Sequence, residues 1–352
     1  MKQITLGRRK IGLGHPPFVI AEMSGNHNRS LERALEIVDA AAASGAHALK
    51  LQTYTADTMT LDLEAGDFLI GDPKSLWRGQ SLYRLYQEAH TPWEWHEPIF
   101  RRCREKGLVC FSTPFDETAV AFLESLDAPC YKIASFENTD LALIRRVAAT
   151  GKPMLISTGL ATLAELDETV RAAREGGCGE IILLKCTSTY PASPEDTNIL
   201  TIPHMRQLFG CEVGLSDHTP GVGVAAAATA LGATVIEKHF TLSRADGGVD
   251  AAFSLEPDEM RTLAEECLRA WQSLGSVGYG PTERELPSLK FRRSLYVAAD
   301  VKKGDTFSKE NVRAIRPGMG LPVKYLELFL GRKAARDASR GTPLDWSMLG
   351  GE

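Results

Sequence analysis

Eight short apolar runs, most followed by a stretch of helical periodicity, constrain this chain more than any other feature. The runs are Phe18 to Ala21, Ala48 to Leu51, Leu108 to Phe111, Tyr131 to Ala134, Met154 to Ile156, Ile181 to Leu184, Val213 to Leu215 and Thr234 to Ile236. Between them lie helical patterns such as Trp93 to Lys106, Glu117 to Leu126, Leu163 to Glu175 and Val222 to Leu231. The first helix shows how the reading works: Ser30 is a capping residue, and Leu31, Ala34, Leu35 and Val38 follow the 3.6-residue period. Eight strand–helix repeats are the count of a (β/α)8 TIM barrel. A doubly wound open sheet is the alternative, but no Gly-x-Gly-x-x-Gly follows the first strand.

The barrel is expected over residues 1–277, followed by a Gly-, Pro- and charge-rich linker at 278–290 and a small β-rich domain at 291–352. That last segment holds an internal repeat, in which Asp300 to Phe307 aligns with Asp337 to Leu344, each with a glycine at the turn. At roughly 60 residues such a domain is near the lower limit for independent stability, so it is expected to pack on another surface. The interval Thr53 to Ala89 breaks the alternation and is expected to be an active-site loop.

Composition narrows the function classes. The 352 residues are 43% hydrophobic and 24% charged, with a net charge of -5, which leaves no electrostatic footprint for nucleic acid. No apolar run has the length and flanks of a signal peptide, and none is a convincing membrane span, so a cytoplasmic protein is expected. The seven cysteines are an odd number without CxxC spacing, which argues against a disulfide framework and a zinc ribbon.

The chemistry gathers at the strand ends. They carry Glu22; Lys50 and Gln52; Ser112 and Thr113; Lys132, Ser135 and Glu137; Ser157 and Thr158; Lys185 and Ser188; Ser216 and His218; Glu237 and His239. In a barrel these ends converge, so a polar site is expected there. Lysines beside hydroxyls suit a phosphate or carboxylate. Lys50 and Lys132 sit inside strand runs, where a lysine must face the barrel mouth or be buried at a cost. His218 and His239, at equivalent positions on successive strands, form a candidate metal and catalytic pair. Two imidazoles leave open positions for oxygen ligands, which suits an exchangeable divalent ion such as manganese, with magnesium, cobalt or zinc as alternatives.

Six ordered motifs carry a resemblance. Ile20-Ala-Glu22-Met-Ser-Gly-Asn26-His27-Asn28, Lys50-Leu-Gln52-Thr-Tyr54, Tyr131-Lys-Ile-Ala-Ser135-Phe-Glu137, Lys185-Cys-Thr-Ser-Thr-Tyr190-Pro, Gly214-Leu-Ser-Asp-His218-Thr and Glu237-Lys-His239-Phe resemble the sialic acid synthase family. The C-terminal repeat is similar to that family's antifreeze-like (SAF) domain. Thr91 to His96 and Lys50 to Thr55 resemble the pseudaminic acid branch. An N-acetylneuraminate synthase usually has histidine where this chain has Leu51, and Asn where it has Ser188.

The resemblance implies condensation of phosphoenolpyruvate with the open-chain aldehyde of an amino sugar. It assigns phosphoenolpyruvate to Lys50, Thr113, Lys132, Ser135 and Ser216, and the sugar to Gln52, Glu137, Tyr190 and Asp250. Glu22 becomes the proton-transfer candidate. It also implies a domain-swapped homodimer, with Arg316 in an exposed turn reaching the other subunit's sugar site. The expected sugar is a 2,4-diacetamido-2,4,6-trideoxy altrose, with Leu51 and Tyr54 beside Gln52 as its apolar contacts. N-acetylneuraminate and legionaminate synthases are the near alternatives. A Schiff-base aldolase and a non-catalytic carbohydrate-binding barrel are the distant ones; the first needs a lysine of depressed pKa, the second missing rim residues.

Overall fold

Alternate side chains of a strand point to opposite faces, and in this chain that alternation sorts each barrel strand into a core-facing and a helix-facing set. The computed structural model describes residues 4–73 and 75–350. Two short antiparallel strands come first, β1 (Ile4–Leu6) and β2 (Arg9–Ile11). There follow β3 (Phe18–Glu22), β4 (Ala48–Thr53), β5 (Val109–Pro114), β6 (Tyr131–Ile133), β7 (Met154–Ser157), β8 (Ile181–Cys186), β9 (Glu212–Asp217) and β10 (Val235–His239). Among the described residues these last eight close into a barrel, each parallel to its neighbours, with β10 pairing β3 to shut it. The expected (β/α)8 fold is the fold.

Two apolar layers hold it. Val19, Ala21, Leu49, Leu51 and Ile236 face outward and pack with helix residues such as Ile37, Val38, Ile99 and Leu263. Phe18, Ile20, Ala48, Phe111, Leu155 and Val235 face inward, and the β1–β2 residues Ile4, Leu6 and Ile11 pack against this inner cluster. Each inward set turns polar toward the C-terminal end of its strand: Ile20 gives way to Glu22, Ala48 to Lys50, and Val235 to Glu237. The core of the barrel is therefore greasy below and ionic above. Gly214 of β9 makes the closest approach in the wall; a Cβ there would lie 2.3 Å from the Val235 carbonyl oxygen.

The helices begin as their sequences dictate. Helix Leu31–Ala43 is capped by Ser30, whose side chain accepts from the Arg33 amide at 3.2 Å. Helix Leu163–Glu175 starts with a reciprocal capping box between Thr162 and Glu165. Among the described residues no helix is long and apolar enough to cross a membrane.

One compact unit extends to Gly275 and a second runs from Ser276. In the second, β11 (Ser294–Val297) pairs antiparallel with β12 (Val312–Ile315) over a core that includes Leu295, Val301, Phe307, Phe329 and Leu344. The internal repeat is visible as a reciprocal clasp. Val301 and Ala338 exchange both backbone hydrogen bonds at 2.9 Å. Asp337 accepts from the Lys303 amide at 2.8 Å, and Asp300 accepts from the equivalent Arg340 amide at 2.7 Å.

Candidate active site

Strand register brings four ionisable side chains of β3, β4, β6 and β10 together inside the barrel. Lys50 Nζ lies 2.5 Å from Glu22 and 4.0 Å from Glu237, and Lys132 Nζ lies 3.5 Å from Glu237. All four are essentially buried, at 1% exposure for Glu22, 4% for Lys50, 2% for Lys132 and 5% for Glu237. Hydroxyls and an amide finish the network: Lys50 donates to Thr113 at 3.2 Å, Ser216 to Glu237 at 3.0 Å, and Gln52 to Glu22 at 3.0 Å.

The charges do not cancel evenly. Burial pushes the Glu22 carboxyl up to about 7, against the pull of Lys50 and with help from Glu237. Burial would push Lys50 down, but the Glu22 and Glu237 carboxylates outweigh it and raise it overall. Lys132 is lowered by burial, with Glu237 opposing, and Glu237 is held low by the two lysines despite its own burial. Near neutral pH the cluster thus shares a proton on Glu22 and carries a surplus of positive charge. That surplus suits an anion.

A second group sits beside it. His218, immediately after β9, and His239, at the end of β10, have ring centroids 5.4 Å apart. Nδ1 of His218 donates to the Thr187 carbonyl at 2.8 Å, so Nε2 is the nitrogen open to a ligand once the ring is neutral; burial works to lower this imidazole, but Cys186 and the Thr187 carbonyl raise it overall. Nδ1 of His239 is buried without a hydrogen-bond partner, with Asp250 Oδ2 3.8 Å away. Burial pushes His239 well below the usual imidazole range, with His218 adding to the shift, so it is neutral. Tyr190 packs on both imidazoles, at 4.4 Å from His218 and 6.3 Å from His239. Asp250 accepts from the Ser24 hydroxyl.

A neutral His239 beside a His218 that a backbone carbonyl orients fits a divalent ion, with His218 giving up its second proton when the ion binds. Among the described residues no group of three or more His, Cys, Asp or Glu side chains is arranged to hold a metal. Two imidazoles are fewer protein donors than a closed structural zinc takes, so the pair itself leaves open positions of the kind an exchangeable ion uses.

A cavity of about 420 Å³ opens next to the histidines. Its polar side is formed by Gln52, Glu137, Tyr190, His239 and Asp250; its apolar side includes Tyr54, Met59, Ile70, Trp77, Leu85 and Tyr86, all from the interval between β4 and residue 89. Lys50, Thr113, Lys132 and Ser216 do not line it. The Ser135 hydroxyl and one Glu137 carboxylate oxygen are buried nearby without a partner in the protein, and orphaned buried polar atoms mark where a ligand is received. Burial pushes Glu137 up to about 7, with Lys132 opposing.

These contacts group the residues singled out in the sequence. Glu22, Lys50, Gln52, Thr113, Lys132 and Ser216 form one network; His218, His239, Tyr190 and Asp250 form the adjoining one; Glu137 faces the cavity. Arg316 is exposed and belongs to the second unit. Leu51 is a correction: it is fully buried in the layer between barrel and helices, because it has the opposite parity to Lys50 and Gln52, and it does not reach the cavity. Tyr54 does reach it.

Comparison with known proteins identifies the chain's family. The NeuB family model matches residues 37–279, and the SAF domain model matches residues 292–350. The chain belongs to the NeuB family. Among NeuB family relatives, it is 43% identical to the pseudaminic acid synthase of Campylobacter jejuni over 93% of this chain and 95% of that one. It is 35% identical to the N,N'-diacetyllegionaminic acid synthase of Legionella pneumophila over 94% of both. The crystal structure of the N-acetylneuraminic acid synthetase of Leptospira borgpetersenii superimposes with a TM-score of 0.72 at 30% identity, over 83% of this chain and 96% of that one.

Glu237 was placed at the rim by its sequence position but given no role there. It stands at a strand end, two residues before His239, so parity alone puts both on the inner face. Lys238, between them, faces outward and is buried in an ion pair with Asp217 at 2.7 Å. Ile70 and Trp77 were missed for another reason: the interval they occupy has no periodicity from which a face could be read.

Proposed function

We propose that this chain acts as a pseudaminic acid synthase, a transferase that condenses phosphoenolpyruvate with the open-chain aldehyde of 2,4-diacetamido-2,4,6-trideoxy-altropyranose. Phosphate and a nine-carbon 2-keto sugar acid are the products. The observation that carries this reading is the 43% identity to a pseudaminic acid synthase over nearly the whole of both chains, against 35% to a legionaminic acid synthase. The site chemistry supports it.

Lys50 and Lys132 supply the charge for the phosphate and carboxylate of phosphoenolpyruvate, and Thr113, Ser135 and Ser216 supply hydroxyls. Gln52, Glu137, Tyr190 and Asp250 hold the sugar so that its aldehyde meets C3 of the enol, a positioning effect that turns an encounter into an oriented reaction. A divalent ion, manganese by preference, held by His218 and His239, supplies Lewis-acid polarisation of the aldehyde oxygen. As the enol electron pair forms the C–C bond, positive charge develops at C2, and the Glu22 and Glu237 carboxylates face it from within the same network. Water adds at C2, and Glu22, poised near pH 7, takes the proton that this water gives up. Lys50 and Lys132 hold the phosphate as the C2–O bond breaks to leave the ketone.

A cytoplasmic, domain-swapped homodimer completes the proposal, with Arg316 of the partner subunit reaching the sugar. Seven free thiols support a reducing compartment, and the exposure of Arg316 supports its availability to a second copy.

The test is an oxygen label. With phosphoenolpyruvate carrying ¹⁸O at the bridging position, C–O cleavage sends the label into inorganic phosphate; label retained in the sugar acid would contradict the mechanism. Because burial lowers Lys132, the Schiff-base alternative has its own check: borohydride with pyruvate should leave no adduct on this lysine.

A further inference from the structure

The cavity beside the histidines has two unlike walls, and only one of them has been given a task. The polar wall holds the groups assigned to the reacting end of the sugar. The apolar wall comes mostly from the segment between β4 and residue 89, with Phe115 and Phe136 beside it, and it is built rather than draped. Ile70 is fixed by two backbone hydrogen bonds, its amide donating to Gln80 at 3.0 Å and its carbonyl accepting from Gly79 at 2.9 Å. Leu69 and Ser81 bridge antiparallel beside it. Trp77 donates its indole N–H to the Val249 carbonyl at 3.0 Å, one residue before Asp250. That bond fastens the segment to the polar wall and uses the only donor the indole has, so what Trp77 offers the cavity is its ring. Tyr54, at the start of the segment, is buried and packs edge-on against Tyr86 at 5.8 Å and Phe115 at 5.1 Å.

We propose that Ile70 and Trp77 are specificity-determining residues, forming an apolar wall that selects amino sugars whose far end carries methyl and acetyl groups in place of hydroxyls. With the aldehyde at His239, the rest of an open-chain sugar extends along the cavity, and this wall is what its far end meets. A C6 methyl and the methyl of a C4 acetamido group lose water there without leaving a polar atom unpaired. A C6 hydroxyl would be buried against Ile70, which has no polar side-chain atom, and the ring of Trp77, whose one donor is already taken by Val249. A pocket of this kind discriminates by ~10- to 100-fold, not absolutely, because an apolar wall rejects an added hydroxyl only moderately.

This inference rests on the synthase reading above, and its test separates the two. Specificity constants are measured for phosphate release from phosphoenolpyruvate with 2,4-diacetamido-2,4,6-trideoxy-altrose and with N-acetylmannosamine, for wild type, Ile70→Ser, Trp77→Ser and Leu61→Ser. Leu61 is 62% exposed on the same segment and does not line the cavity, so it is the control. Ile70→Ser and Trp77→Ser should each raise KM for the diacetamido sugar by about tenfold and narrow the preference between the two sugars. KM for phosphoenolpyruvate should stay at the wild-type value, which a general loosening of the site would not allow. Ile70→Thr, which keeps the branched shape, replaces the serine variant should that one fail to fold. Discrimination unchanged in the variants of Ile70 and Trp77 overturns the inference alone. A wild type that releases no phosphate with either sugar overturns the synthase reading and this inference with it.

Discussion

Lys50 reaches two carboxylates at once, lying 2.5 Å from Glu22 and 4.0 Å from Glu237, while Lys132 has Glu237 at 3.5 Å. Glu237 thus links both lysines, and in the free protein it occupies the role that an anionic substrate would share. Removing one partner of a buried ion pair leaves the other uncompensated, at about 3–5 kcal/mol. Glu237→Gln should therefore lower the melting temperature markedly. Saturating phosphoenolpyruvate should recover more stability in the variant than in wild type, because its charges replace the missing carboxylate. Thermal melts with and without phosphoenolpyruvate check this, and an equal shift in both proteins would argue against it.

The two strand-end imidazoles should be required for turnover and dispensable for folding. His239 makes no hydrogen bond through Nδ1 but packs against Phe253 at 4.9 Å, so His239→Ala should abolish activity at a cost of about 1–3 kcal/mol, which leaves the barrel folded. Exhaustively chelated wild type should be inactive and recover on addition of manganese. Full activity after chelation would contradict the role of the pair.

Glu137 gives a pH dependence whose sign can be worked out. Its carboxyl rises from 4.5 to about 7 on folding, chiefly through burial. Between those two values the folded protein holds a proton that the unfolded chain has released, so stability falls as pH rises through this window. Glu137→Gln removes that loss. The variant should be more stable than wild type above pH 7, by about 1–3 kcal/mol, and the two should converge near pH 4.5. Urea titrations across this range check it; parallel curves would show that Glu137 is not held up by its surroundings. Glu22, raised in the same direction, keeps some slope in both proteins.

The swapped arrangement predicts complementation. Arg316→Ala and His239→Ala should each be inactive alone. If Arg316 acts on the other copy's barrel, a mixed dimer has one site with both defects and one site with none. Random subunit exchange should then restore about a quarter of wild-type activity, since half the dimers are mixed and each has one working site. An exchanged mixture that stays inactive would exclude action in trans.

Most of the barrel was legible because each strand is a short apolar run set off by helical periodicity, and the rim because polar residues end those runs. The β1–β2 hairpin was not. Its strands are three residues long and Arg8, Arg9 and Lys10 interrupt them, so it has no apolar run, although Ile4, Leu6 and Ile11 are buried against the inner barrel cluster. Leu51 was misplaced where period two, applied strictly from Lys50, would have turned it outward, and the same rule applied from His239 would have given Glu237 its part. Met59, Ile70 and Trp77 meet at the cavity through tertiary bonds, Trp77 to Val249 among them, which no local pattern encodes.

The most direct test of the central claim is the wild-type protein's choice of aldehyde. Phosphate release from phosphoenolpyruvate in the presence of manganese gives kcat/KM for 2,4-diacetamido-2,4,6-trideoxy-altrose and for N-acetylmannosamine under the same conditions. A pseudaminic acid synthase should favour the first by at least about tenfold. Equal or higher specificity for N-acetylmannosamine would contradict the account.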